Sequence, residues 1–210
     1  MDDSLNDLPL RRIPAQGRSR DKVWRALLAA DRILDVEGAS ALNLTRVAAA
    51  AGLSAGALHQ YLPDRETIAA ALAARYHARL EGLLEQAIAQ PVGDDPVGVV
   101  LSAVSRVYRD EAALRILRLH GVAETDSQAH KARMAAKLRD ALVAHRLVAP
   151  GRAALVARVA FLAADGVLHE AFRCDLQGEQ PLLDELSCML RAYIGQSLPT
   201  SGEGAAVGRE

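Results

Sequence analysis

Residues 45–65 read TRVAAAAGLSAGALHQYLPDR. Two stretches too short to be stable helices alone flank a single glycine, Gly52. An arrangement of this kind needs an external support and a fixed angle. A helix-turn-helix meets both needs: two short helices joined by a tight turn and seated on a third. Ala48 is small enough for backbones to approach there. Gly52 supplies the positive φ of the turn at little cost. Val47, Ala51, Leu53, Leu58 and Leu62 are spaced to lock the pair onto a neighbouring helix. Thr45, Arg46, Ser54, Ala55, Gly56, His59, Gln60, Tyr61 and Arg65 are left facing outward. Small groups, hydrogen-bonding groups and cations suit entry into a DNA groove. The same spacing also fits a plain helical hairpin within a bundle.

Working outward, Val23, Leu27, Ala30 and Leu34 recur at helical spacing, with Ser19 as a candidate cap and Gly38 as a stop. After a linker at 39–44, Thr45 is the expected cap of a helix over 46–51. Ser54 caps a third helix reaching Tyr61. Asp64 caps a long helix from Arg65 to about Gln90, roughly 37 Å at 1.5 Å per residue. Further helices are predicted near 96–108, 110–121, 127–146, 151–173 and 180–196. The chain is thus all-α, with about nine helices. Residues 1–18 read as a flexible basic arm, 19–64 as a helix-turn-helix domain and 65–197 as a helical regulatory and dimerisation domain. Residues 198–210 read as a disordered tail.

Composition agrees. Half of the 210 residues are apolar and aromatics are 3%. About one residue in five is alanine, and β-branched residues are few, a strongly helical bias. The net charge of −1 excludes a globally basic protein. Locally, residues 10–65 hold nine bases against five acids. That balance fits either a surface facing a polyanion or a solvated arm. Arg11, Arg12, Arg18 and Arg20 precede the first helix, where an extension can lie along a minor groove or the backbone and add affinity rather than sequence choice. Cys174 and Cys188 suggest buried or half-buried free thiols in a reducing compartment. With no signal-like segment and no apolar run near 18 residues, a cytoplasmic location and no membrane span are expected.

The stretch LTRVAAAAGLSAGALHQYLPDRETI, with AADRILDVEGASALN before it and a long helix after it, resembles the DNA-binding region of TetR-type (tetracycline-repressor-like) transcriptional regulators. The resemblance covers about residues 19–80. It implies Thr45 and Arg46 at the start of a positioning helix and Ala55, Gly56 and Ala57 opening a recognition helix. His59, Gln60 and Tyr61 then occupy reading and phosphate-facing positions, and Arg65 stands where a phosphate-touching lysine is usual. His59 replaces a usual tyrosine and Leu62 a usual phenylalanine, so the base preference does not carry over. The resemblance further implies a homodimer through helices near 151–173 and 180–196, a palindromic operator on double-stranded DNA, and a small-molecule effector that releases a repressor. In the first of those helices Leu155, Val159, Leu162, Gly166 and Phe172 form the pairing face, with Ala157, Ala160 and Ala164 allowing close approach. In the second the face is Leu182, Leu183, Leu186, Met189, Leu190 and Ile194.

The effector pocket is not legible in the pattern. Tyr108, His120, Met134, Phe161 and His169 are candidates, each equally at home in packing or on the surface. His120 with Glu124 and Asp165 with His169 have i, i+4 spacing, yet neither pair has a visible third ligand, so no metal or other cofactor is expected. No phosphate loop or nucleophile motif suggests an enzyme. The alternative to a regulator is a helical ligand-binding or scaffold protein with a vestigial helix-turn-helix. A metal-dependent helical enzyme is more distant.

Overall fold

A computed structural model describes residues 5–89, 127–174 and 178–196, with Asp95, Gly98, Ser102, Ser105, Arg106, Asp110 and Leu119. Among these the architecture is all-α. Seven helices follow one another: α1 Gly17–Glu37, α2 Leu44–Ala50, α3 Ala55–His59, α4 Arg65–Ile88, α5 Ser127–Ala144, α6 Pro150–Cys174 and α7 Gln180–Gly195. The helices expected near 96–108 and 110–121, and the tail at 198–210, lie outside the described residues. The chain divides into two compact units, Met1–Leu80 with Glu111–Ser127, and Glu81–Asp110 with Gln128–Glu210. The division falls inside α4, beyond Asp64, where the sequence suggested a boundary.

The first unit is built on α1. Val23, Leu27, Ala30 and Leu34 are fully buried, as their spacing predicts, and Ala26, Ala29 and Ile33 widen the apolar face. Gly38 ends the helix at φ 81°, ψ 173°, a region open essentially to glycine alone. Val47, Leu58 and Leu62 from the helix-turn-helix are buried, with Leu42 before it and Ile68 and Leu72 on α4. Ala51 and Leu53 are only half-buried, because they lie at the turn. Two polar ties lie outside the apolar pattern. Tyr76 on α4 donates its hydroxyl to Asp31 on α1, and the Arg75 guanidinium sits 5.1 Å from the Trp24 ring centroid, a cation–π distance.

Two cap assignments differ from expectation. Ser19 does not cap α1. The helix is already under way at Gly17, and the N–H groups of Ser19 and Arg20 both close on the carbonyl of Gln16 at 3.0 Å. Nor does Thr45 cap α2. Asn43 does, its side chain accepting from the Arg46 N–H at 2.9 Å. Leu42 and Val47 occupy the positions of a hydrophobic staple and both are buried, which brings the chain into the helix two residues early.

In the second unit α6 and α7 pack together. Ala157, Ala160, Ala164 and Phe172 of α6, with Leu186, Leu190 and Ile194 of α7, are buried within the single chain. This corrects their assignment to a pairing face. These side chains serve the subunit's own core. Leu155, Val159 and Leu162 stay exposed at 65%, 41% and 48%, with Gly166 in the same stripe and Met189 on α7 at 44%. Leu182 and Leu183 are half-buried. Cys188 is a free, exposed thiol rather than a buried one. Among the described residues no helix is long and apolar enough to cross a membrane.

Candidate nucleic-acid interface

The helix-turn-helix is assembled from local hydrogen bonds. At the end of α2, Leu53 N–H returns to the carbonyl of Ala48 at 2.9 Å and Gly52 N–H to that of Ala49 at 3.1 Å. This is a Schellman closure around Gly52, whose φ is 66°. Ser54 then opens α3, its hydroxyl accepting from the Ala57 N–H at 3.2 Å. The helix is shorter than expected. It stops at His59, and Gln60 and Tyr61 form the turn that follows. Asp64 restarts the chain, accepting from both the N–H and the hydroxyl of Thr67 at 2.7 Å. Those two bonds hold the Asp64 carboxyl below its ordinary pKa, with a smaller contribution from the charge of nearby His59.

Thr45, Arg46, Ser54, Gly56, His59 and Gln60 are exposed, and Ala55, Ala57 and Tyr61 are half-buried. All lie on the two short helices or at their ends, within one unit. Two of the candidate cations are already occupied. Arg46 pairs with Glu37 at the end of α1. The pair is exposed, so it contributes little and can be exchanged for another anion. Arg65 is half-buried and donates from Nη2 to the carbonyl of Ala39 at 3.0 Å. Its Nε is buried without a hydrogen-bond partner. Residues that the sequence reading passed over also shape the surface. Asn43 carries a standard capping signal that was readable. Glu37 and Ala39, by contrast, become neighbours of Arg46 and Arg65 only through folding.

The segment ahead of α1 is anchored from Leu5 on. Leu5 begins a short 3-10 turn, Leu5–Asp7, and has no exposed surface. Arg11 donates its backbone N–H to the carbonyl of Tyr61 at 3.0 Å.

Two of the effector-pocket candidates, Tyr108 and His120, lie outside the described residues, as does Glu124. Met134 is buried in the core and His169 is half-buried. Phe161 lines a half-open groove of about 630 Å³ between α5 and α6, floored by Ala132, Ala135, Ala136 and Ala154 and edged by Lys131, Arg139 and Arg158. The groove does not gather Met134 or His169. Asp165, the partner suggested for His169, is ion-paired to Lys131 at 2.8 Å. Among the described residues no group of three His, Cys, Asp or Glu side chains is placed to hold a metal ion.

A buried polar cluster joins α4 to α5. His130 Nδ1 and Arg133 Nε each lie 2.9 Å from Glu81 Oε1. Burial pushes the His130 pKa down, against the pull of Glu81. Burial also opposes the Glu81 charge, but the bonds from His130 and Arg133 outweigh it and hold the carboxyl low. A carboxylate can only accept, so His130 Nδ1 and Arg133 Nε both donate to Glu81, and Arg133 supplies a positive charge.

No protein-family model matches the sequence, and no curated protein does. Solved structures do share its fold. A TetR-family transcriptional regulator from Streptomyces coelicolor superposes with a TM-score of 0.61 at 24% identity, over 84% of this chain and 99% of that one. SmeT, the repressor of the Stenotrophomonas maltophilia multidrug efflux pump SmeDEF, gives 0.61 at 19% identity over 86% and 94%. The TetR-family repressor AlkX from Dietzia sp., implicated in biodegradation of n-alkanes, gives 0.56 at 20% identity over 83% and 98%. The chain has the TetR-type fold along nearly the whole length of these relatives.

Proposed function

We propose that this chain, with its TetR-type fold, is a sequence-specific DNA-binding transcriptional regulator: a homodimeric repressor released from a palindromic operator by a small molecule. The observation that carries it is the closed α2–turn–α3 unit, which is fixed to α1 and leaves Thr45, Ser54, Gly56, His59 and Gln60 exposed on one short stretch. In this reading α3 enters the major groove. Gly56 and the flanking alanines keep its leading end slim. His59 and Gln60 meet base edges, where a good bidentate pair discriminates by about 1–3 kcal/mol. Thr45, Arg46 and Tyr61 face phosphates. Arg46 exchanges Glu37 for a phosphate oxygen, a trade between two anions at an exposed site.

The exposed stripe Leu155, Val159, Leu162 and Gly166 on α6, with Met189 on α7, supports pairing with a second copy. Two-fold pairing presents two α3 helices to half-sites about one helical turn, ~34–36 Å, apart or somewhat more. Release by an effector needs only a few kcal/mol of differential affinity between DNA-competent and released states. SmeT and AlkX, which share the fold, are both repressors, and this favours repression.

Selection of duplexes from a random pool at low salt, followed by gel shift, tests the reading. The expected product is a palindrome whose recognition weakens in His59→Ala and Gln60→Ala. Absence of any enriched sequence would leave the scaffold reading, with a vestigial helix-turn-helix, as the better one.

A further inference from the structure

The basic segment ahead of α1 is not simply a free arm. Leu5 is wholly buried in the first unit, Pro14 is buried, and Leu8 and Leu10 are half-buried. Between these anchors Arg11 is held by its own backbone: its N–H donates to the carbonyl of Tyr61 at 3.0 Å. Tyr61 follows α3, where helix-end carbonyls have no partner inside the helix. The bond therefore ties the segment to the trailing end of that helix. The side chains of Arg11 and Arg12 are both exposed, and among the described residues neither has an acidic partner.

We propose that residues 5–14 form a strap that holds Arg11 and Arg12 beside α3 as a fixed contact to duplex phosphates, with Leu5 as the plug that positions them. The proposal rests on the DNA-binding reading above and adds residues and a mechanism to it. A free arm must be ordered when it binds, at about 1–2 kcal/mol per residue of backbone entropy. A strap already seated on Leu5, Pro14 and Tyr61 has lost that freedom on folding, so its two charges meet the duplex preorganised. Phosphate contacts orient a protein without reading sequence. Arg11 and Arg12 therefore set affinity and salt dependence, and His59 and Gln60 keep the choice of site.

The test uses the full chain and the duplex recovered by selection, with Kd measured by fluorescence anisotropy between 50 and 300 mM salt. Each phosphate contact contributes about 0.9 to the slope of log affinity against log salt. The double variant Arg11→Ala/Arg12→Ala removes two contacts from each subunit of the dimer and should lower that slope by about 3.6, with the ratio of specific to non-specific affinity unchanged. An unchanged slope overturns the contact, and a collapsed ratio shows base reading instead. Leu5→Ser keeps both arginines, adds no charge and should lower the slope nearly as far. A wild-type slope in that variant means a free arm and overturns the strap. Limited trypsin digestion of the unmodified protein is independent of any variant. Slow cleavage after Arg11 and Arg12 is expected, and rapid cleavage with α1 intact overturns the strap. Failure of the wild-type chain to bind any duplex removes the regulator reading itself. Wild-type binding with unchanged slopes in the variants removes the strap alone.

Discussion

Arg65, the first residue of α4, reaches back 26 positions to donate a hydrogen bond to the carbonyl of Ala39 at 3.0 Å. The bond fastens the 3-10 turn Ala39–Ala41, which leads into α2, to the start of α4. A charged donor to a partly buried carbonyl contributes about 1.5–3 kcal/mol. Arg65→Ala is therefore expected to lower the unfolding free energy by that amount, read as a lower urea midpoint at unchanged m. An unshifted midpoint would place the Arg65 charge in DNA contact rather than in the scaffold.

Gly52 sits at φ 66° with open space where a Cβ would stand. Its requirement is one of backbone conformation, not of room. Gly52→Ala should cost about 1–2 kcal/mol, the penalty of a left-handed residue, while Gly52→Asn costs less. Equal thermal stability of the alanine variant would mean that the turn has another closure.

Arg146 holds the opposite case. It follows α5 at φ 57°, in a Schellman closure where Leu147 N–H returns to Leu142 and Arg146 N–H to Val143. Glycine is the usual residue at that position. Arg146→Gly relieves the strain but adds chain entropy to the unfolded state. A net gain of about 0.5–1 kcal/mol is expected, read as a higher Tm.

His130 makes the second unit sensitive to mild acid. Burial depresses its pKa in the folded state, against interactions with Glu81 and Asp165. Unfolded, an imidazole titrates near ~6.5. The unfolded chain thus binds the proton first, and stability present above about pH 6.5 is lost as pH falls through the folded value. Urea titrations of wild type and His130→Gln should diverge above pH 6.5 and converge below it. Parallel curves would place the sensitivity elsewhere.

The exposed stripe on α6 offers a test of pairing. Leu155→Lys with Leu162→Lys adds two charges at side chains that are already 65% and 48% exposed in the single chain, so folding should be little affected. Sedimentation should shift from dimer to monomer, with operator affinity falling at least tenfold. An unchanged mass would move the two-fold axis to another face.

Much of the first unit is legible because its signals are local. Val23, Leu27, Ala30 and Leu34 declare their face by spacing alone. Ser54 and Asp64 cap the helices they precede, since a side-chain oxygen can reach only the N–H groups two or three residues on. Thr45 and Asn43 show the limit. Either can cap, and the burial of Leu42 and Val47 chooses between them. In the second unit the apolar pattern of α6 and α7 shows that faces are buried but not against what. Folding assigns Leu186, Leu190 and Ile194 to the chain's own core and leaves Leu155, Val159 and Leu162 outside.

The sequence by itself determined the all-α character, the turn at Gly52 and the exposure of Thr45, Arg46, Ser54, Gly56, His59 and Gln60. Each follows from backbone geometry and helical periodicity over a few residues. Only the tertiary structure decided that Arg65 serves Ala39, that Arg46 is shared with Glu37 and that Leu5 pins the basic segment against the domain. Those relationships join positions 9 to 26 or more residues apart, and a distance through space has no periodic trace along the chain.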